Sequence, residues 1–249
     1  MKQILCAISA AALLSAIASP SAAENIRLVG HWSFDNDTPA EFKSANGAAP
    51  FKAGSKDDLT NVTFIDGIHG KAVHFDGSKK SVHVAGSRHD FQLQAPFTIA
   101  CWVIKDKKVP ERNDILTKYT GNKSGFEFSI MWEMLNYTFR CNNKEIVVRT
   151  PAKSFPINKW THAAVTDDGK CIKLYLNGVL SAEKTYSETE KISWNNINAP
   201  LTVGKFPGSF QAYRLQGAID ELYIFSGVLS AEQLEVLAAD NKIPENSEK

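Results

Sequence analysis

The sequence predicts an all-β fold, a sandwich or barrel of about a dozen short antiparallel strands with one short C-terminal helix. Three observations lead there. From Arg27 to Phe225 apolar residues recur with period two, in short stretches parted by Gly, Asn, Asp and Pro. Hairpin-type turn sequences such as Asp167-Asp168-Gly169 and Asn177-Gly178 fall between those stretches. A capping-box outline occurs near the end, in Ser230-Ala231-Glu232-Gln233.

The chain begins with an address. Lys2 gives a positive start, Ile4 to Ala18 is apolar or small throughout, and Ser21-Ala22-Ala23 is the small-residue pattern that a signal peptidase cuts. We read residues 1–23 as a cleaved signal peptide and the mature protein as secreted or periplasmic, with no other segment able to span a bilayer. Lys71-Ala72-Val73-His74-Phe75, the turn Asp76-Gly77-Ser78 and Ser81-Val82-His83-Val84 read as a hairpin. Gly125 to Ile130 alternates cleanly and Glu145 to Arg149 more weakly. Trp160 to Thr166 and Cys171 to Leu176 flank Asp167-Asp168-Gly169 as a second hairpin, closed at its far end by Asn177-Gly178. In the helix Ser230 is the N-cap and Leu234 and Leu237 share a face. No linker divides the strand-rich region, so residues 24–240 read as one domain and residues 241–249 as a polar tail.

Composition narrows the partners. Of 249 residues, 28 are Lys or Arg and 27 Asp or Glu, for a net charge of +1. Loss of the signal removes Lys2 and leaves 27 against 27. Such a balance offers no electrostatic footprint for nucleic acid or an anionic membrane. Cys6 leaves with the signal, and Cys101, Cys141 and Cys171 cannot all pair within one chain. Cys101 lies in an apolar run and reads as a buried thiol, whereas Cys141 and Cys171 are open to pairing in an oxidising compartment.

Six stretches in order resemble the laminin-G-like, concanavalin A-like lectin/glucanase family: Leu28 to Asp35, Gly70 to Gly77, Pro96 to Val103, Trp160 to Val165, Leu174 to Val179, and Leu215 to Leu222 leading into Leu229-Ser230-Ala231-Glu232. The resemblance implies a two-sheet antiparallel jelly-roll sandwich of six or seven strands per sheet. It places Trp32, Trp102 and Trp160 at core positions. It also suggests a structural calcium ion held by Asp220 and the end of the first strand near Asp35. One departure stands out: where family members commonly carry Asp-Ser-Ser-Gly-Asn-Gly, this chain has Lys43-Ser44-Ala45-Asn46-Gly47, one residue shorter and without the acid.

Catalytic motifs are missing from the sequence. There is no Gly-x-Ser-x-Gly, His-Glu-x-x-His, Cys-x-x-Cys or Walker loop. The Glu-x-Asp-x-x-Glu triplet of jelly-roll glucanases is also missing. Glu188 and Glu190 form a lone pair, and Glu127 and Glu133, were they on one continuous strand, would lie roughly 20 Å apart, too far for glycoside hydrolysis. His74 and His83 point away from apolar neighbours and read as a solvated pair. Asp220 sits in Gly217 to Phe225, where both faces are mostly apolar, so its carboxylate needs a cation or strong hydrogen bonds.

Sugar binding needs exposed rings that stack on pyranose faces. Trp132, Tyr137 and Trp194 lie beside polar residues, and Tyr119, Phe206, Phe210 and Tyr213 lie in loop-like contexts. Trp132, Tyr137, Trp194 and Tyr213 are therefore the expected ligand-binding residues, with Asp35 and Asp220 the expected metal ligands. The function expected is a noncatalytic binding module for a glycan or polysaccharide. The alternatives are a polysaccharide hydrolase or lyase of the same superfamily, and a protein-adhesion or structural module with a protein partner.

Overall fold

The computed structural model describes residues 26–53, 62–77, 83–87, 90–91, 94–107, 112–120, 124–141, 144–187, 197–205 and 213–244. Among them the strands are β1 (Arg27–Trp32), β2 (Glu41–Phe42), β3 (Phe51–Ala53), β4 (Val62–Asp66), β5 (Lys71–Asp76), β6 (His83–Ala85), β7 (Phe97–Lys105) and β8 (Arg112–Thr120). Then follow β9 (Ser124–Met131), β10 (Met134–Cys141), β11 (Lys144–Arg149), β12 (Thr161–Asp167), β13 (Cys171–Leu176), β14 (Val179–Thr185), β15 (Leu201–Val203) and β16 (Gln216–Ser226). The helix α1 spans Ala231–Asp240.

Every named strand pairing is antiparallel, and the strands form two sheets. The first sheet runs β14-β13-β12-β7-β16-β5-β4, with β1 also on β16; the second runs β11-β10-β9-β8-β15-β6-β3-β2. The core lies between them. Ile99, Cys101, Val103, Val165, Ile219 and Leu222 face in from the first sheet; Leu116, Phe126, Phe128, Tyr137, Phe139 and Leu201 face in from the second. The alternation called for a sandwich or barrel, and the result is the two-sheet antiparallel jelly-roll sandwich that the resemblance implied, with eight strands in each sheet instead of six or seven because short edge strands such as β2 and β3 join it.

The second hairpin forms as expected. Asp167 Oδ1 accepts from Gly169 N–H at 2.9 Å and Asp168 Oδ1 from Cys171 N–H at 2.7 Å, so both acids satisfy turn donors locally. The first does not. β5 pairs with β4 and β16 in the first sheet, whereas β6 pairs with β3 and β15 in the second. The turn chemistry at Asp76-Gly77 therefore starts a crossover between sheets.

Helix α1 starts with the full capping box: Ser230 Oγ accepts from Gln233 N–H at 3.2 Å and Gln233 Oε1 accepts from Ser230 N–H at 2.8 Å. Leu234 and Leu237 pack on Ala100, Ala164, Tyr175, Tyr223 and Phe225, which line the outer face of the first sheet. Among the described residues no helix is long and apolar enough to cross a membrane.

Three expectations about individual side chains change. Trp32 is fully buried, tilted against Phe51 and Phe91, but Trp102 and Trp160 are only half-buried and stand outside the inter-sheet core. Trp102 pairs across strands with His162 and Asp220, residues on the outer face of the first sheet. Tyr137 shares its face with Leu135 and Phe139 and is fully buried between Phe97 and Phe126. Cys101 and Cys171 are free thiols, so Cys171 makes no bridge to Cys141, whose side chain lies outside the described residues.

Candidate functional site

One exposed aromatic residue stands at a place the backbone makes costly. β9 and β10 are joined by two residues, Trp132 and Glu133, with Met131 and Met134 paired at the neck. Trp132, first of the two, has φ = 56°. That position in a two-residue hairpin is one glycine fills without cost, and a bulky side chain there costs roughly 1–3 kcal/mol. The indole is 53% exposed, so core packing does not account for the residue. Its carbonyl instead is held: Lys105 Nζ, fully buried at the end of β7, donates to Trp132 O at 2.5 Å. Glu133 O accepts from Phe155 N–H at 3.0 Å and Lys105 O from Asn158 N–H at 2.8 Å, which ties the 150–160 connection to the same corner.

Beside this turn, the outer face of the second sheet carries a layer of buried polar groups. Arg112 on β8 registers with Met131, the residue before Trp132. Its guanidinium donates to Glu127 Oε2 at 2.5 Å and meets Asp114 Oδ1 at 2.8 Å, all three side chains being nearly or fully buried. Tyr213 lies across Arg112, its ring centre 3.9 Å from the guanidinium carbon. Asn136 on β10 donates to Ser129 Oγ at 3.1 Å and Thr138 Oγ1 at 3.2 Å, and accepts from Arg149 Nε at 2.8 Å. Burial, above all, pushes the Asp114 carboxyl up to about 7; Arg112 opposes this and Glu127 adds to it.

Tyr213 stacks on Arg112, whose strand partner Met131 precedes Trp132 in the chain, so both expected aromatic residues belong to the second-sheet side of the molecule. Tyr137 does not join them: strand alternation turns it fully into the core, where it cannot meet a ligand. Trp194 lies outside the described residues, as do Phe206, Phe210, Glu188 and Glu190. Glu133 sits in the turn, not on the strand that carries Glu127, so the two do not share a strand face. His74 pairs with Asp106 at 2.7 Å and is not simply solvated; the side chain of His83 lies outside the described residues. Arg112, Asp114 and Glu127 were missed as a group. Glu127 alternates with Phe126 and Phe128 as on an ordinary solvated face, and Arg112-Asn113-Asp114 is a wholly polar run, so nothing in the sequence ties the three together.

A second corner holds the expected metal ligands. On one flank β16 pairs first with β5, up to Ile219, and then with β1, from Leu222 onward. A bulge fills the change-over, with Glu221 at φ = 51°. The bulge puts Asp220 on the outer face while Leu222 and Ile224 enter the core, so the acid does not sit among those side chains. Glu221 pairs with His31 and accepts from Tyr223 Oη at 2.9 Å, beneath a His31–Tyr223 ring stack.

The turn at residues 67–70 closes over Asp220. Asp220 Oδ2 accepts from Ile68 N–H at 2.7 Å and His69 N–H at 2.9 Å, and Asp35 Oδ1 accepts from Lys71 N–H at 2.8 Å. A Cβ at Gly67 would meet Asp220 Oδ2 at 2.4 Å, and one at Gly70, where φ is +75°, would meet Asp35 Oδ1 at 1.9 Å. Only glycine admits both carboxylates this close. Asp220 Oδ1 is buried without a hydrogen-bond partner. Burial pushes its carboxyl up to about 7, with the Glu221 and Asp35 charges adding to the rise. No salt bridge reaches Asp35 or Asp220 among the described residues, and no group of three His, Cys, Asp or Glu there converges as a metal cage. A spare buried carboxylate oxygen amid uncompensated negative charge nevertheless fits a hard cation completed by backbone and water oxygens.

Comparison with known proteins agrees with this architecture. Domain 4 of AbnA, a GH43 extracellular arabinanase from Geobacillus stearothermophilus solved in complex with arabinotriose, superposes with a TM-score of 0.69 at 21% identity, covering 86% of this chain and all of that one. The binding domain of Paraclostridial Mosquitocidal Protein 1 gives 0.64 at 19% identity, over 86% of this chain and 52% of that one. Botulinum neurotoxin type C, whose cell entry depends on interaction with two ganglioside molecules, gives 0.59 at 17%, over 87% and 52%. The chain spans all of the arabinanase domain but about half of the two toxin chains, and at these identities the likeness is one of fold. No curated protein matches the chain. The Laminin_G_3 family matches residues 76–235, well over half of the sequence, and the chain belongs to this family of the concanavalin A-like lectin/glucanase superfamily.

Proposed function

We propose that this protein is a secreted or periplasmic, noncatalytic carbohydrate-binding module whose ligand stacks on Trp132. One observation carries the reading: a half-exposed indole is held in a left-handed turn position that nothing about packing requires. Tyr213, stacked on Arg112 of the neighbouring strand, offers a second ring, while the buried Arg112, Asp114 and Glu127 pair with one another and hold that part of the sheet. The arabinotriose complex of the domain-4 structure and the ganglioside dependence of the neurotoxin support a glycan as ligand class. Asp114 and Glu127 both engage Arg112, which favours a fixed charge cluster over the two independent carboxyls a hydrolase needs.

A glycan array followed by calorimetry tests this. Trp132→Ala is expected to weaken the best glycan roughly tenfold or more while the melting temperature stays close to that of the parent protein. Unchanged affinity in that variant overturns the assignment. Export is checked by intact mass, which should start at Glu24.

Calcium belongs to the same proposal as a structural ion, held by Asp220 Oδ1 and Asp35; when bound it would supply positive charge to two carboxylates that lack it. Because such an ion binds only the folded state, saturating calcium should raise the melting temperature by roughly 5 °C over chelator. Asp220→Asn should abolish that increment. A melting temperature indifferent to chelator removes calcium from the proposal.

A further inference from the structure

A fully buried lysine is costly to keep charged, because its ammonium leaves water for a medium of low polarity. Lys105 is such a residue, and its surroundings show what it holds. Its ammonium reaches Trp132 O at 2.5 Å, while its own carbonyl accepts from Asn158 N–H at 2.8 Å. Glu133, next to Trp132, accepts from Phe155 N–H through its carbonyl; burial pushes the Lys105 ammonium below its ordinary value, and the Glu133 charge opposes that. The end of β7, the β9–β10 turn and the 150–160 connection thus meet at one residue, Lys105, through its side chain and its carbonyl.

Trp132 needs such an anchor. A left-handed tryptophan at the first position of a two-residue turn has other backbone states open to it at lower cost, and each would aim the indole elsewhere. A charge-assisted bond to its carbonyl favours the observed state. We propose that Lys105 is a positioning residue for the glycan site: without touching ligand, it fixes the Trp132 peptide and so presents the indole for stacking. This rests on the carbohydrate-binding reading above. It adds a buried residue, opposite the exposed surface, that sets affinity through pre-organisation.

Fluorine NMR of protein labelled with 5-fluorotryptophan tests the anchor without any ligand. The Trp132 resonance is assigned from Trp132→Phe. In the parent protein it should be a single line; in Lys105→Met it should shift and broaden or split, while the lines of Trp32, Trp102 and Trp160 stay in place. A Trp132 line untouched by Lys105→Met overturns the proposal, as does equal movement of all lines. If Lys105→Met does not fold, Lys105→Arg decides instead, since it keeps the charge but displaces the donor, and the Trp132 line must still move selectively.

Arabinotriose titration then separates the two readings. Lys105→Met should weaken arabinotriose binding by up to roughly tenfold in the parent background and have no effect in the Trp132→Ala background. An equal loss in both backgrounds overturns positioning through Trp132. If Trp132→Ala binds like the parent protein, the stacking site itself is wrong, and the fluorine result still decides what Lys105 does to the turn.

Discussion

Replacing Arg112 with methionine should destabilise the fold by about 3–5 kcal/mol, because it leaves two buried carboxylates without their cation. Arg112, Asp114 and Glu127 are all buried, and the guanidinium touches both acids. In a molecule of this size that corresponds to a melting temperature lower by roughly 10 °C or more. The loss has a pH signature. Burial already pushes Asp114 up to about 7 in the folded protein, above its ordinary value of 3.8. The folded state therefore holds a proton that the unfolded state releases, and this contribution is full below about pH 4 and is lost as pH rises through about 7. Without Arg112, which opposes the rise, the folded value climbs further and the alkaline loss grows. Thermal melts of Arg112→Met at about pH 5 and about pH 8 should differ more than those of the parent, and Asp114→Asn should flatten the parent's own dependence. A variant as stable as the parent at the higher pH would show that the cluster is not a structural centre.

The residues of that cluster mark where the sequence stops being legible. Alternation identifies strands, so β9, β12, β13 and the capped helix could be read from residue types alone. It also contained the answer for Tyr137: Leu135, Tyr137 and Phe139 share one face, and the polar neighbours Asn136 and Thr138 belong to the other. Trp102 was harder. Ile99, Cys101 and Val103 face the core, but Ala100 is also apolar because α1 covers part of the outer face, so both faces of β7 look internal. What alternation cannot convey is partnership. Arg112 gathers Asp114 of its own strand and Glu127 of the next, where β8 slips register between Asp114 and Leu116. Asp220 escapes the core only because Glu221 takes a left-handed bulge conformation where β5 gives way to β1. Bulges add one residue to a strand and reverse the facing of everything beyond them, and no residue type here announces them. The Asp76-Gly77 turn likewise names a reversal but not the sheet to which the chain returns.

Tryptophan substitutions should divide the molecule into scaffold and site. Trp32→Ala removes a fully buried indole that rests on Phe51 and Phe91, at ring distances of 4.8 and 5.7 Å, and that donates to Ala49 O at 3.3 Å. The chain leaves out a side chain to admit this ring: a Cβ at Gly30 would stand 2.4 Å from it. Close packing on every side prevents the cavity from collapsing, so the cost should be about 3–5 kcal/mol, again roughly 10 °C or more in melting temperature. Trp132→Ala deletes a ring that is 53% exposed and at the same time puts a smaller residue at φ = 56°, so little stability is at stake. Ligand binding should invert the order. Trp32→Ala, measured below its melting transition, should bind the glycan with nearly parental affinity, because Trp32 belongs to β1 in the first sheet and the proposed site belongs to the second. Calorimetric melting and glycan titration on the same two proteins give the four numbers required. If Trp132→Ala melts as early as Trp32→Ala, the indole at the turn is a packing element and its exposure has been misread as function; if Trp32→Ala loses affinity while still folded, the site extends to the opposite sheet.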